Sequence, residues 1–225
     1  MLAILCAMQS EGDVFLSQMQ VDRADLVLGG RPLYVGSAYG KACVLLISGV
    51  GKVNAAMGTQ YLIDHYPVKT LVSIGVAGGV AGKVELGKTY LVSAVGQYDF
   101  DTSPIDGTPV GYSEDLGGIF LTLDSPLQRR LGKRLPTARL VTGDKFSCEQ
   151  ALNDFVERHF DGAELREMEG FAVAYTAFHN GVDCVLLKGV SDYVGPESAN
   201  LFAEMCQKTL GEMAALFPLI VSEEA

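Results

Sequence analysis

Short apolar runs alternate with helical segments along almost the whole chain, and that rhythm is what most restricts the fold. The strand-like runs are Leu2–Met8, Leu26–Leu28, Leu33–Gly36, Ala42–Ser48, Thr70–Ile74, Thr89–Val95, Leu140–Val141 and Cys184–Val190. The helical segments are Lys52–His65, Leu127–Leu135, Cys148–His159, Met168–His179 and Ser198–Leu216. In the first of these, Val53, Ala56, Met57, Tyr61 and Leu62 share a face at helical spacing. Strands alternating with helices predict an α/β fold with a largely parallel sheet. Residues 26–48 break the rhythm: the stretch from Leu28 through Gly29 and Gly30 to Tyr34 reads as a hairpin turn, so part of the sheet is antiparallel. The expected architecture is a single domain over residues 1–225, with a central mixed, largely parallel twisted β-sheet flanked by helices. No Pro/Ser-rich linker, charge block, low-complexity tract or internal repeat divides it.

Bulk properties narrow the function. A chain of 225 residues with 48% hydrophobic and 20% charged content is a well-packed globular protein; a chain of this size buries about 70% of its unfolded surface. The net charge of −10 argues against a basic nucleic-acid-binding face and for a neutral or cationic small-molecule substrate. The densest positive cluster, Arg129, Arg130, Lys133 and Arg134, reads as a solvated helix face. The apolar start, Met1 to Met8, has no basic flank, is too short for a signal peptide or a membrane span, and reads as a first core strand. The five cysteines form no C-x-x-C pair, and Cys6, Cys43 and Cys184 sit in apolar runs as buried reduced thiols. A cytoplasmic protein is expected, with no membrane partner. Of His65, His159 and His179, no two have ligand spacing, so neither a metal nor a cofactor is expected.

The segment that folding alone explains least lies near residue 167. There, Glu167 and Glu169 run directly into an almost wholly apolar helix ending at Phe178. A helix apolar all round is expected to be buried, and a buried carboxylate needs a partner. Other candidates follow strand ends, where ligands collect in open α/β sheets. Asp192, after the run ending at Val190, reads as a turn or cap aspartate or as a general acid, with Ser191 able to hydrogen-bond it. Glu11 reads as a first-turn acid behind a Ser10 N-cap or as a general base. Glu169 reads as a first-turn residue or as an acceptor for a vicinal diol, and Glu167 as a salt-bridge partner. Phe146 and Phe202 read as core residues or as a platform for a flat base. The turns Gly75–Gly79 and Gly49–Lys52 fit neither a dinucleotide fingerprint nor a P-loop.

Taken together, six segments resemble the purine nucleoside phosphorylase/uridine phosphorylase superfamily, and more narrowly its bacterial 5'-methylthioadenosine/S-adenosylhomocysteine nucleosidase branch. They are Ala7–Glu11, Ser48–Ala56, Gly75–Gly79, Gly143–Phe146, Glu167–Glu169 and Ser191–Asp192, in family order and with family-like spacing. The resemblance implies a nucleoside phosphorylase-like fold and hydrolysis of an N-glycosidic bond. It implies that Asp192 protonates adenine N7, that Glu11 activates water, and that Glu169, beside the Met168 backbone, binds the ribose hydroxyls. It further implies that Phe146 stacks on the base, that Ser147 reads its edge, and that Met8, Val50 and Phe202 line a 5'-alkylthio pocket. Val76, Ala77, Gly78, Glu167, Lys188 and Ser191 complete the implied substrate-binding set. Ile105 is expected to close the pocket of a neighbouring subunit, which implies a homodimer.

Two positions depart from the family pattern. Val76 stands where a Ser or Thr is common near the water, and Lys188 stands where Arg is usual. Lys lacks the bidentate geometry of Arg. These departures keep open adenosine or futalosine-type nucleosides and a nucleoside-binding protein without catalysis; phosphorolysis is the alternative reaction, opposed by the absence of an arginine-bearing phosphate loop and by the Glu11 carboxylate. An NAD-dependent dehydrogenase is disfavoured by the missing fingerprint.

Overall fold

The computed structural model describes residues 1–146 and 148–223, the last by its backbone. The chain opens with β1 (Leu2–Cys6), α1 (Gln9–Leu16), β2 (Gln20–Val27), β3 (Arg31–Ala38), β4 (Lys41–Ile47) and α2 (Lys52–His65). Its middle holds β5 (Thr70–Gly79), β6 (Thr89–Gln97), α3 (Ser103–Asp106), β7 (Phe120–Thr122), α4 (Pro126–Leu131), β8 (Thr137–Thr142) and α5 (Gln150–His159). It closes with β9 (Ala163–Glu167), α6 (Gly170–His179), β10 (Asp183–Tyr193), α7 (Ser198–Ala214) and α8 (Phe217–Glu223).

All ten strands of the described residues join one mixed sheet. At its centre β5 pairs in parallel with both β1 and β10, and antiparallel with β9. β10 turns back onto β6, which runs parallel to β8, which runs parallel to β9. The strands β5, β10, β6, β8 and β9 therefore form a closed ring, a closure that sequence alternation does not reveal. From this ring the sheet extends through β1 and β4 to the β3–β2 hairpin. The expected turn is there, with Gly29 and Gly30 at positive φ, a conformation glycine takes without a Cβ penalty.

β1 shows why helices cover both faces of the sheet. Successive strand residues point to opposite sides. Leu2, Ile4 and Cys6 pack with Phe15 of α1, Leu210 and Met213 of α7, and Phe217 of α8. Ala3 and Leu5 pack on the other side with Ala55 and Leu62 of α2 and Val173 and Ala177 of α6. A strand buried on both faces reads as a continuous apolar run.

Three expectations are corrected. β5 does not end before the glycines but runs on through Gly79, because Lys188 to Asp192 of β10 and Leu165 and Arg166 of β9 pair with its second half. β10 likewise continues through Ser191 and Asp192, with a register shift between Val190 and Asp192. α6 is buried on one side only: Phe171, Val173, Ala174 and Ala177 face the core, whereas Phe178 is 49% exposed. The short strands β7 and β9 and the helices α3 and α8 carry no periodic signal and were not expected.

Candidate active site

The N-terminal turn of α1 delivers the first carboxylate. Met8, not Ser10, is the N-cap, and Glu11 occupies the third helical position. From there its side chain reaches back: Oε2 accepts from the backbone N–H groups of Ala7 and Met8, both at 2.9 Å. Oε1 accepts from the Val76 N–H of β5 at 3.1 Å. Each carboxylate oxygen has about two acceptor directions, so one on Oε1 is left for a ligand or water. Glu11 is buried, and that burial raises its pKa; the Lys188 charge and the three backbone N–H groups work in the opposite direction.

The β9–α6 junction delivers two more. Glu167 spends its carboxylate inside the protein. Oε1 accepts from the Thr142 hydroxyl at 2.6 Å and the Gly170 N–H at 2.9 Å; Oε2 accepts from the Glu169 and Gly170 N–H groups at 3.0 and 2.8 Å. The same oxygen pairs with Lys188 Nζ at 2.9 Å, both side chains almost fully buried. Glu167 thus caps α6, satisfying amides that a helix N-terminus leaves open. Glu169, the N-cap residue of α6, faces the other way. Its Oε1 accepts from the Gly51 N–H at 2.8 Å, at the start of α2. Burial first, then the neighbouring Glu167 charge, pushes its pKa up to about 7 against Lys188 and the Gly51 N–H.

β10 delivers the fourth. Ser191 Oγ donates to Asp192 Oδ1 at 2.7 Å. Burial raises the Asp192 pKa, and the Ser191 hydrogen bond only partly offsets it. A carboxyl raised in this way can keep a proton to donate.

Glu11, Glu169 and Asp192 line one cavity of about 230 Å³, together with Met8, Val50, Val76, Ala77, Gly78 and Met168. Phe146 and Phe202 meet edge to face in its wall, their ring centroids 5.9 Å apart. The constellation sets three carboxyl groups, each in a different hydrogen-bonding environment, and aromatic surface around a mostly apolar space.

The phosphorylase superfamily model matches residues 1–221. The chain belongs to the phosphorylase superfamily.

Among curated relatives of this superfamily member is the 5'-methylthioadenosine/S-adenosylhomocysteine nucleosidase of Oceanobacillus iheyensis, 30% identical over 221 residues and covering 95% of each chain. A similar solved structure is that of the Helicobacter pylori 5'-methylthioadenosine/S-adenosylhomocysteine nucleosidase with butyl-thio-DADMe-Immucillin-A. It has a TM-score of 0.90 and 26% identity, and the match covers 99% of this chain and 97% of that one. The futalosine hydrolase of Helicobacter pylori strain 26695 matches with the same TM-score at 25% identity, over 99% and 97% of the two chains.

Against that family frame, most expected site residues come together at the cavity, Glu167 and Ser191 included. Two do not. Lys188 lies beneath the cavity wall, because its ammonium is drawn to Glu167. Ile105 is 90% exposed on α3 and does not line this cavity. Ser147 lies outside the described residues. The cavity also takes Ala7, Lys145, Arg166 and Val194, which sequence reasoning missed. Ala7, Lys145 and Val194 each sit one or two residues from an expected position, and that adjacency was the available signal. Arg166 adjoins the expected Glu167 but lies on β9, a strand that was not expected; its guanidinium is buried and donates to the Asn153 side chain on α5.

Proposed function

We propose that the protein hydrolyses the N-glycosidic bond of 5'-methylthioadenosine, S-adenosylhomocysteine or both, releasing adenine and the 5-thio-substituted ribose. The observation that carries this reading is the convergence of Glu11, Glu169 and Asp192 on one cavity, each in a different hydrogen-bonding environment. Asp192 gives its proton to N7 of the base, which makes the base a better leaving group as the C1'–N9 bond breaks. Glu11 takes a proton from the water whose oxygen bonds to C1'; a raised pKa makes it a stronger base. Glu169 accepts from the ribose hydroxyls while the sugar becomes oxocarbenium-like. The acid/base logic is that of glycoside hydrolysis, with a ring nitrogen as the leaving atom.

Phe146 stacks on the base, Ser147 reads its edge, and Met8, Val50 and Phe202 receive the 5'-substituent. With Val76 apolar and Lys188 engaged by Glu167, the attacking water depends on the open acceptor direction of Glu11. The protein acts as a homodimer, with Ile105 reaching the cavity of a second copy; the exposed Val53, Phe100, Ile105 and Phe178 support that surface role. Its five free cysteines support a cytoplasmic location, and no helix of the described residues is long and apolar enough to cross a membrane.

The test is incubation with 5'-methylthioadenosine in phosphate-free buffer, monitoring free adenine. Adenine release supports the reading. Turnover that appears only with phosphate and yields a ribose 1-phosphate moves the assignment to phosphorolysis. Tight binding of a methylthioadenosine analogue with no base release makes the protein a binding module. The futalosine hydrolase neighbour favours a second substrate reading, a futalosine-type nucleoside; a panel of 5'-substituted nucleosides separates the two.

A further inference from the structure

Lys188 is paired with Glu167 and does not itself line the cavity. It is opposite Gly75 in the parallel β10–β5 pairing, so its side chain leaves the sheet on the side to which a Cβ of Gly75 would point. That side is where Glu11 lies: a Cβ on Gly75 would stand 2.6 Å from Glu11 Oε1. The ammonium is held by Glu167 at 2.9 Å, with both side chains all but inaccessible. Burial disfavours the charge on Lys188, but Glu167, Glu169 and Glu11 together outweigh that and hold it protonated.

We propose that Lys188 is a positioning residue that acts as the shared counter-charge of the buried carboxylates, fixing Glu167 on the amino end of α6 and keeping Glu11 ionised for the water-activating step. The catalytic part rests on the reading of Glu11 as the base. Among the described residues, the titratable groups that bear on Glu11 are Lys188 from β10, Glu169 from the start of α6, Cys6 from β1 and Cys206 from α7. Burial holds both thiols neutral. Lys188 is the cation of that set. A buried carboxylate deprived of its cation takes up a proton more readily, and a protonated Glu11 cannot accept one from water.

The experiment compares Lys188→Met, Lys188→Arg and the double variant Lys188→Met/Glu167→Gln with the wild type. The double variant removes the ion pair as a unit and avoids leaving Glu167 buried alone. The first readout is the pH profile of kcat/KM for adenine release from 5'-methylthioadenosine. The second is the titration of the Glu11 side-chain carboxyl by carbon-13 NMR, its resonance assigned by Glu11→Gln. The expected result is an acidic limb, and a Glu11 titration, displaced upward by about one pH unit or more in both Met variants. Lys188→Arg keeps the wild-type position. If Lys188→Met does not fold, the double variant decides. An unchanged Glu11 titration in the double variant overturns the proposal, whatever happens to rate or stability. If the wild type releases no adenine, the base reading fails, and the NMR titration still reports whether Lys188 governs the charge of Glu11.

Discussion

A Cβ on Gly75 would stand 2.6 Å from Glu11 Oε1, so the strand leaves space for that oxygen only by having no side chain at residue 75. The carboxylate cannot retreat cheaply, because backbone N–H groups from Ala7, Met8 and Val76 hold it from two elements. The glycine is therefore explained by a neighbour distant in sequence, not by a turn.

Gly75→Ala is expected to displace Glu11 and lower kcat/KM for adenine release about 100-fold, the scale of an ångström-sized misplacement. The overpacking should cost about 1–3 kcal/mol of stability. Gly211→Ala is the control: it lies in α7 with nothing within 4 Å of a new Cβ, and it should leave activity intact and add up to about 1 kcal/mol. Steady-state kinetics and urea unfolding check both. A fully active Gly75→Ala enzyme would show that Glu11 need not sit where it does.

Asp192→Asn keeps an acceptor for Ser191 Oγ but carries no transferable proton. Adenine release should fall by about 10²–10⁴-fold, with retention of more than about a tenth of the activity contradicting the acid role. Because burial raises the Asp192 pKa, its ionised form is disfavoured in the native state. The variant should accordingly be as thermally stable as the wild type at neutral pH, or more so.

Glu169 makes a pH-dependent contribution to stability. Its native pKa of about 7 exceeds its ordinary value of 4.5. Between those pH values the native state binds more protons than the unfolded state, so this group's contribution declines as pH rises and levels off above about 7. Glu169→Gln should remove that slope. The stability difference between wild type and variant, measured by urea unfolding at pH 5 and pH 8, should shift in favour of the variant at the higher pH. A difference that stays constant would refute the assignment.

Phe146→Ala removes one ring of the edge-to-face pair with Phe202. Base–aromatic stacking is worth about 1–3 kcal/mol by alanine substitution. Binding of a non-hydrolysable adenine nucleoside, measured by calorimetry, should weaken by about 5- to 150-fold. Unchanged affinity would remove Phe146 from the base subsite.

Much of this was legible locally. The bounds of α2 match the expected segment, Lys52–His65, because Gly51 precedes a continuous helical pattern. The hairpin near Gly29 and Gly30 declared itself through residues that tolerate positive φ. Glu11, Glu169 and Asp192 stood out as acids set against apolar runs. β9 was illegible for the opposite reason: Arg166 looks like a surface residue yet is buried on Asn153, while Glu167, expected to need a partner, finds it in Lys188. The partner that makes such burial tolerable lies on another element, beyond the reach of a local pattern.

By itself, the sequence determined the α/β alternation, the family resemblance and the carboxylates worth attention, since periodicity and residue type are properties of short segments. The tertiary structure alone decided that β5, β10, β6, β8 and β9 close into a ring, that the glycines of β5 lie within a strand, and that Lys188 turns to Glu167 instead of the cavity. Each depends on pairing between residues far apart in the chain. Strand register and the desolvation of a charge become defined only when those distant partners meet.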